Sequence, residues 1–340
     1  MLEHRRLQDR NNKTTLHTHS SMSTSMSLNF VTIDVFTDKP YEGNPLAVVR
    51  IPHGVTISQE NKQRIAREFN LSETTVLHEN SSDSDKDQWV VDIFMTSREL
   101  PFAGHPTVGT ACYVLSRTAE QRGITNGVLD AEFTLKAGRV GLRYDVAKKT
   151  AKAAIPHDVH VHKKRWSREE LFKLQPGLAA AHDQGQLKAQ VSNPIVSIVK
   201  GMTFVLVELE SVEALAKVSL AGRSVEIDGL DQDWSDTFIG TYFFVRTGKS
   251  EGGATQLQTR MIEGTLEDPA TGSAASDLAA YLSLKEGKAG ETFKYQLVQG
   301  IEMGRRSEIF IEVVMAKNSG IETVYLEGRA VQVMEGSLTV

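Results

Sequence analysis

The sequence predicts an α+β chain of two similar domains, each a sheet with one helix packed into it, and three observations support this. From Asn29 onward, short apolar segments that read as strands are separated by helical ones. Three stretches of the first half are echoed in the second: GNPLAVV (43–49) by SNPIVSIV (192–199), LKAGRVGL (135–142) by LEGRAVQV (326–333), and GHPTVGTACYVL (104–115) by TGSAASDLAAYL (271–282). The last pair carries most weight, because both members read as glycine-started helices with one apolar stripe. Val108, Ala111, Cys112 and Leu115 fall at i, i+3, i+4 and i+7, as do Ala275, Leu278, Ala279 and Leu282.

The elements follow in order. Residues 1–28 are polar and rich in Ser, Thr, Asn and His, so they are expected to form a disordered leader outside the fold. Glu3 and Asp9 argue against a mitochondrial transit peptide. FVTIDVF (30–36) alternates with period two and reads as a strand, as does NPLAVVRI (44–51). A helix is expected over 58–69, capped by Ser58, with Ile65, Ala66 and Phe69 on one face. TTVLHE, QWVVDIFM, AEFTLKAG and GRVGLRYD read as strands. The polar stretch 156–190 reads as a connection holding a short helix at 167–175. Strands resume at VSNPIVSIVK, TFVLVEL, GTYFFVR, EIFIEVVMA and TVYLEGRAVQV. The expected division is 29–140 and 141–329, with the last strand, 330–340, a candidate to complete the first domain.

Composition narrows the function. With 40% hydrophobic and 24% charged residues, the 340-residue chain has the balance of a soluble globular protein. A net charge of −5 argues against a nucleic-acid partner, since phosphate binding favours a basic surface. No apolar run approaches the roughly 20 residues of a membrane span. The single cysteine excludes an internal disulfide and fits a reducing compartment, with the cytoplasm the expected location.

Candidate chemistry gathers at the two glycine-started helices. A helix N-terminus presents unpaired N–H groups and about half a positive charge, which suits a carboxylate or an oxyanion. Gly104 and Gly272 allow close backbone approach, and Pro106 suits a first helical turn. His105 stands at the first helix start, and Asp268 and Ser273 flank the second. Asp or Ser at such positions also caps helices, so the residues alone leave both readings open. Glu73 follows the helix at 58–69. If 71–77 is extended, Leu71, Glu73, Thr75 and Leu77 share a face, and desolvation among apolar neighbours would raise the Glu73 pKa towards that of a working acid/base. An exposed glutamate at a strand start is the alternative.

DVFTDKPYEGNPLAVV (34–49), NLSETTVL (70–77), RELPFAGHPTVGTA (98–111), EDPATGSAA (267–275) and QGIEMGRRSEI (299–309) resemble, in this order, the phenazine-biosynthesis PhzF-like family. The resemblance runs from about residue 30 to the C-terminus. It implies a diaminopimelate epimerase-like fold of two pseudo-symmetric α+β domains, each a mixed sheet wrapped around a central helix, with the active site between them. It also implies a cofactor-independent isomerase. Glu73, in the SETT motif, would be the acid/base; His105 and Asp268 would bind substrate and assist the proton shift; Gly104, Gly272 and Ser273 would line the site. The phenazine member of the family moves a proton between ring carbons of a dihydro-hydroxyanthranilate without a cofactor. A small-molecule carboxylate is therefore the expected substrate, and a homodimer a candidate assembly.

Related racemases place a cysteine at each helix start. Here Cys112 lies on an apolar helix face, so two-thiol racemisation is excluded and one-base shuttling is not. His157, His160 and His162 cluster in HDVHVH but lack a matching carboxylate–histidine pattern, so no metal is expected. KKR (163–165) and GRR (304–306) read as solvated charge, and Trp89, Trp166 and Trp234 as packing residues. The competing functional readings are a non-catalytic member that binds a ligand or protein partner, and a one-base epimerase using Glu73 with Asp268.

Overall fold

A computed structural model describes residues 26–81 and 87–340. The backbone ladder starts at β1 (Ser27–Val35), which pairs antiparallel with β2 (Asn44–Ile51). After α1 (Gln59–Phe69), β3 (Thr74–His78) runs parallel to β2 and antiparallel to β4 (Gln88–Phe94), which carries the short β5 (Glu99–Leu100). Helix α2 (Gly104–Gln121) leads to β6 (Val128–Leu135), parallel to β4, and then to the antiparallel strands β7 (Gly138–Asp145) and β8 (Thr150–Ile155).

The pattern then repeats. Beyond β9 (His160–Ser167), α3 (Arg168–Leu174) and α4 (Pro176–Asp183) come β10 (Ser192–Val199) and its antiparallel neighbour β11 (Met202–Glu208). After α5 (Val212–Leu215), β12 (Phe238–Lys249) runs parallel to β11 and antiparallel to β13 (Thr255–Glu263), which carries the short β14 (Leu266–Asp268). Helix α6 (Gly272–Glu286) leads to β15 (Thr292–Gln299), parallel to β13, then to β16 (Ser307–Met315) and β17 (Ile321–Gly328). The halves join where β8 pairs with β17, and β18 (Ala330–Thr339) crosses back to pair with β1.

Read outward from the β8–β17 pair, each half has the same succession of parallel and antiparallel neighbours. Helix α2 corresponds to α6. By the same symmetry β2 corresponds to β11, and β6–β7 to β15–β16. Two of the three sequence echoes therefore link non-equivalent elements: the first joins β2 to β10, and the second joins β6–β7 to β17–β18. Only the helix echo joins true counterparts. The fold is α+β, with each half a mixed sheet curved around one helix. An expected division at 140/141 cuts through β7; we propose that it lies at 156–159, between β8 and β9, with β18 completing the first half.

The central helices explain the curvature. Val108, Ala111 and Leu115 are wholly buried, as are Ala275, Leu278 and Ala279, and burial extends to nearly every side of both helices. A helix buried all round needs a sheet that wraps it rather than one that covers a single face. Strands β1, β2, β3, β7 and β8 lie against α2, and β10, β11, β15, β16 and β17 against α6. Outside this shared core, α1 packs on the first half with Ala66 buried and Ile65 and Phe69 beside it. Ser58 caps α1 by accepting a hydrogen bond from the Asn61 N–H, and Ser167 caps α3 in a reciprocal pair with Glu170.

The leader ends earlier than expected. Residues 1–25 lie outside the described residues, but Ser27 and Leu28 belong to β1, pairing with Thr339 and Leu338. Leu28 is 1% exposed. Its burial depends on β18, which arrives from the other end of the chain. The connection expected over 156–190 contains β9, and TVYLEGRAVQV is two strands broken at Arg329.

Candidate active site

The N-termini of α2 and α6 meet face to face. A Cβ built on Gly104 would lie 2.7 Å from Leu326 Cδ2 and 3.7 Å from the Gly272 backbone; one built on Gly272 would lie 2.8 Å from the same methyl and 3.6 Å from Gly104 Cα. At either glycine a Cβ would overlap the buried Leu326 methyl of β17, while the facing helix backbone stands at ordinary contact distance. Neither helix has a side-chain cap at its first turn. The positive ends of two helices and their uncapped N–H groups thus converge on one place.

Glu73, His105 and Asp268 gather there. Glu73 precedes β3, whose next residues alternate as expected: Thr75 turns inward to Thr110 of α2 at 3.0 Å and Leu77 joins the central core, while Val76 faces the α1 side. The Glu73 side chain keeps 18% of its exposure, and its Oε2 lies 3.1 Å from His105 Nδ1. Its neighbours are therefore polar, and this reverses the expected pKa shift. Burial does disfavour the Glu73 carboxylate, but the hydrogen bond and charge of His105, with the Ser72 hydroxyl, outweigh it and hold Glu73 below its ordinary value. His105 is itself buried, and its Nε2 has no hydrogen-bond partner among the described residues.

Asp268 carries the upward shift instead. Burial pushes its carboxyl up to about 6; the charge of Glu73 adds to this, while Thr271, His105 and Asn44 partly oppose it. Its carboxylate accepts from the Thr271 hydroxyl at 2.5 Å and from Asn44 Nδ2 at 2.8 Å. Its main-chain carbonyl accepts from Gln299 Nε2 at 2.8 Å. Gln299 is fully buried and also binds the Thr271 hydroxyl and the Tyr242 hydroxyl, both at 3.0 Å. One residue away, Glu267 makes two 2.8 Å bonds to the guanidinium of Arg260, which is 6% exposed. Ser273 is the second residue of α6 and half-buried.

Asn44, Thr271 and Gln299 went unassigned in the sequence, although all three lie inside the motifs singled out there. Their signal was weak because an isolated amide or hydroxyl has many uses. Cys112 is buried in the core, with its thiol pushed up to about 12 by burial. The histidine cluster does acquire a carboxylate. Asp231 lies 2.8 Å from His160 Nε2 and donates its N–H to His162 Nδ1 at 3.3 Å. His162 Nε2 meets Ser197 Oγ at 2.9 Å, and Trp234 stacks on His160. Both ring nitrogens of His162 are thus engaged, and the cluster clasps the connection before β12 to β9. A cleft of about 510 Å³ lined by Trp89, Tyr113 and Arg117 opens near the far, C-terminal end of α2 and is not lined by Glu73, His105 or Asp268.

Two topologically equivalent halves, each presenting a helix N-terminus close to Glu73, His105 and Asp268, place this candidate site on an epimerase-like fold. The chain belongs to the family described as phenazine biosynthesis-like protein, whose model matches residues 33–336. It is 30% identical to the trans-2,3-dihydro-3-hydroxyanthranilate isomerase of Pseudomonas aeruginosa, over 88% of this chain and 98% of that protein. Among solved structures, it resembles the Bacillus anthracis phenazine biosynthesis protein of the PhzF family with a TM-score of 0.69 at 20% identity, covering 93% of this chain and all of the other. A hydroxyproline epimerase from Agrobacterium vitis shares the fold with a TM-score of 0.55 at 14% identity, covering 92% and 93% of the two chains. Among the described residues, no helix is long and apolar enough to cross a membrane.

Proposed function

We propose that the chain is a cofactor-independent isomerase that shifts a proton between carbons of a small carboxylate. The observation that carries this reading is the separation of the two carboxyls. Glu73 is held ionised by His105, while Asp268 retains its proton to about pH 6. Two titratable groups pushed apart by their surroundings are suited to serve as base and acid in one site.

In this reading the Glu73 carboxylate takes a proton from one substrate carbon and returns it to another. The electron pair left on carbon spreads into the adjoining unsaturated system, and Asp268 supplies a hydrogen bond to the charge that develops. The His105 Nδ1–H donates to Glu73 and fixes the base, which leaves Nε2 to meet a polar substrate group. The uncapped N–H groups of α2 and α6 receive the substrate carboxylate. Closure of the two halves around the substrate would keep water from the carbanion-like intermediate.

The identity to an isomerase of trans-2,3-dihydro-3-hydroxyanthranilate makes that compound the first substrate to test. Incubation in heavy water should place deuterium at a ring carbon, read by mass spectrometry and NMR. Full exchange by a folded Glu73→Gln protein would rule the reading out.

A further inference from the structure

We propose that Asn44 is a positioning residue for this reaction: its side-chain amide reaches across from the first half and fixes the Asp268 carboxyl opposite Glu73 and His105. The inference rests on the reading of Asp268 as the acid of the site.

Asn44 opens β2 and is 2% exposed. Its Nδ2 donates to Asp268 Oδ1 at 2.8 Å and to the Ala270 carbonyl at 2.9 Å. The acceptors are the last residue of β14 and a carbonyl of the loop that leads from it to α6. An amide turned the other way would present its oxygen to two acceptors, so the contacts themselves determine its orientation. The remaining supports of Asp268, from Thr271 and Gln299, come from its own half. Asn44 alone of these three ties the carboxyl to the other half, so the direction in which Asp268 points depends on how the halves meet.

Asn44 is in turn held from the second half. Arg305, in the loop between β15 and β16, donates to the Gly43 carbonyl at 2.8 Å and the Glu42 carbonyl at 3.0 Å, and pairs with Asp34 Oδ1 at 2.6 Å. Asp34 Oδ2 also accepts the Tyr41 N–H at 2.6 Å. The Gly43 N–H donates to the Arg306 carbonyl at 3.1 Å. Gly43 adopts φ +70°, and a Cβ there would lie 2.3 Å from the Val35 carbonyl oxygen, so the chain reaches Asn44 through a turn that only glycine fits. A half-buried ion pair and this turn therefore place one amide against one carboxyl.

The test follows the Asp268 carboxyl by carbon-detected NMR in protein labelled at aspartate, with Asp268→Asn assigning the signal. Asn44→Leu removes the donor at similar volume. Its Asp268 midpoint should rise by about one pH unit, and the alkaline limb of the deuterium-exchange profile with trans-2,3-dihydro-3-hydroxyanthranilate should rise with it. Asn193→Leu is the control for a purely structural loss: Asn193 is equally buried but donates to the Trp166 carbonyl at 3.3 Å, away from the site, so both readings should stay at wild-type values. If Asn44→Leu does not fold, Asn44→Ser is carried through the same titration with the same expectation. An Asp268 midpoint that ignores the loss of Asn44 overturns the proposal. A midpoint that moves while the exchange limb stays in place sinks instead the role of Asp268 as the acid, so the two failures are told apart, and the first is read from a titration that needs no turnover.

Discussion

His105 Nδ1 lies 3.1 Å from Glu73 Oε2, and this contact joins the first residue after a helix-opening glycine to the residue just before a strand. Burial disfavours the Glu73 carboxylate, and this contact outweighs it and holds Glu73 below its ordinary value, as the proposed role of base requires. It also leaves the buried Nε2 of His105 directed away from Glu73, ready to pair with a ligand.

Replacing Glu73 with Gln keeps the size of the side chain and removes the base. The variant should fold like the wild type and lose deuterium exchange by about a hundredfold or more. Retained His105→Asn exchange at near wild-type rates would show that Glu73 does not need its partner; a loss comparable to that of Glu73→Gln is expected, because the base is then free to take up a proton.

The activity should fall as pH rises through about 6, where Asp268 gives up its proton. The opposite limb belongs to Glu73, which His105 holds below its ordinary value. A profile of kcat/KM measured by exchange decides this; one that climbs through pH 6 contradicts the assignment of Asp268 as acid.

Gly272→Ala should cost about 1–3 kcal/mol, the usual range for overpacking, because its Cβ would meet Leu326 Cδ2 at 2.8 Å. Leu326→Ala removes that methyl at the cost of a cavity, about 2–5 kcal/mol. The double variant should be more stable than the sum of the two losses allows, since each relieves the other. Urea midpoints in a double-mutant cycle measure this, and strict additivity would show that the glycine is not needed for packing.

Asp277 of α6 is fully buried, and neither carboxyl oxygen has a hydrogen-bond partner among the described residues. Burial raises its pKa well above the ordinary value of 3.8. A carboxyl that holds its proton more tightly folded than unfolded makes the folded state lose stability as pH rises above the unfolded value. Asp277→Asn carries no charge at any pH, so it should exceed the wild type in stability at pH 8, with a gap that narrows by pH 5. Parallel urea curves at the two pH values would show that Asp277 contributes no such dependence.

The sequence made a good part of this legible, and unevenly so. Strand β2 and the Ser58 cap of α1 were readable because their signals are local: an apolar run, and a hydroxyl three residues before the N–H it accepts from. The two central helices were readable from their stripes. The register of the internal repeat was not, since β10 resembles β2 in residues but corresponds to β1 in the ladder. Two buried strands favour the same side chains whatever their neighbours, so likeness of composition does not report strand order. Leu28 was assigned to a polar leader because the strand that buries it lies some three hundred residues away.

By itself, then, the chain's order of residues determined that Glu73, His105 and Asp268 exist beside two glycine-opened helices, and that an α+β protein would hold them. Only the tertiary structure decided which carboxyl keeps its proton. A pKa responds to charges and donors within a few ångströms, and those come from His105, Thr271 and Asn44, brought together by the β8–β17 junction and the meeting of two helix ends. Desolvation, which the local pattern suggests for Glu73, is outweighed there by a partner that folding supplies, and it prevails at Asp268.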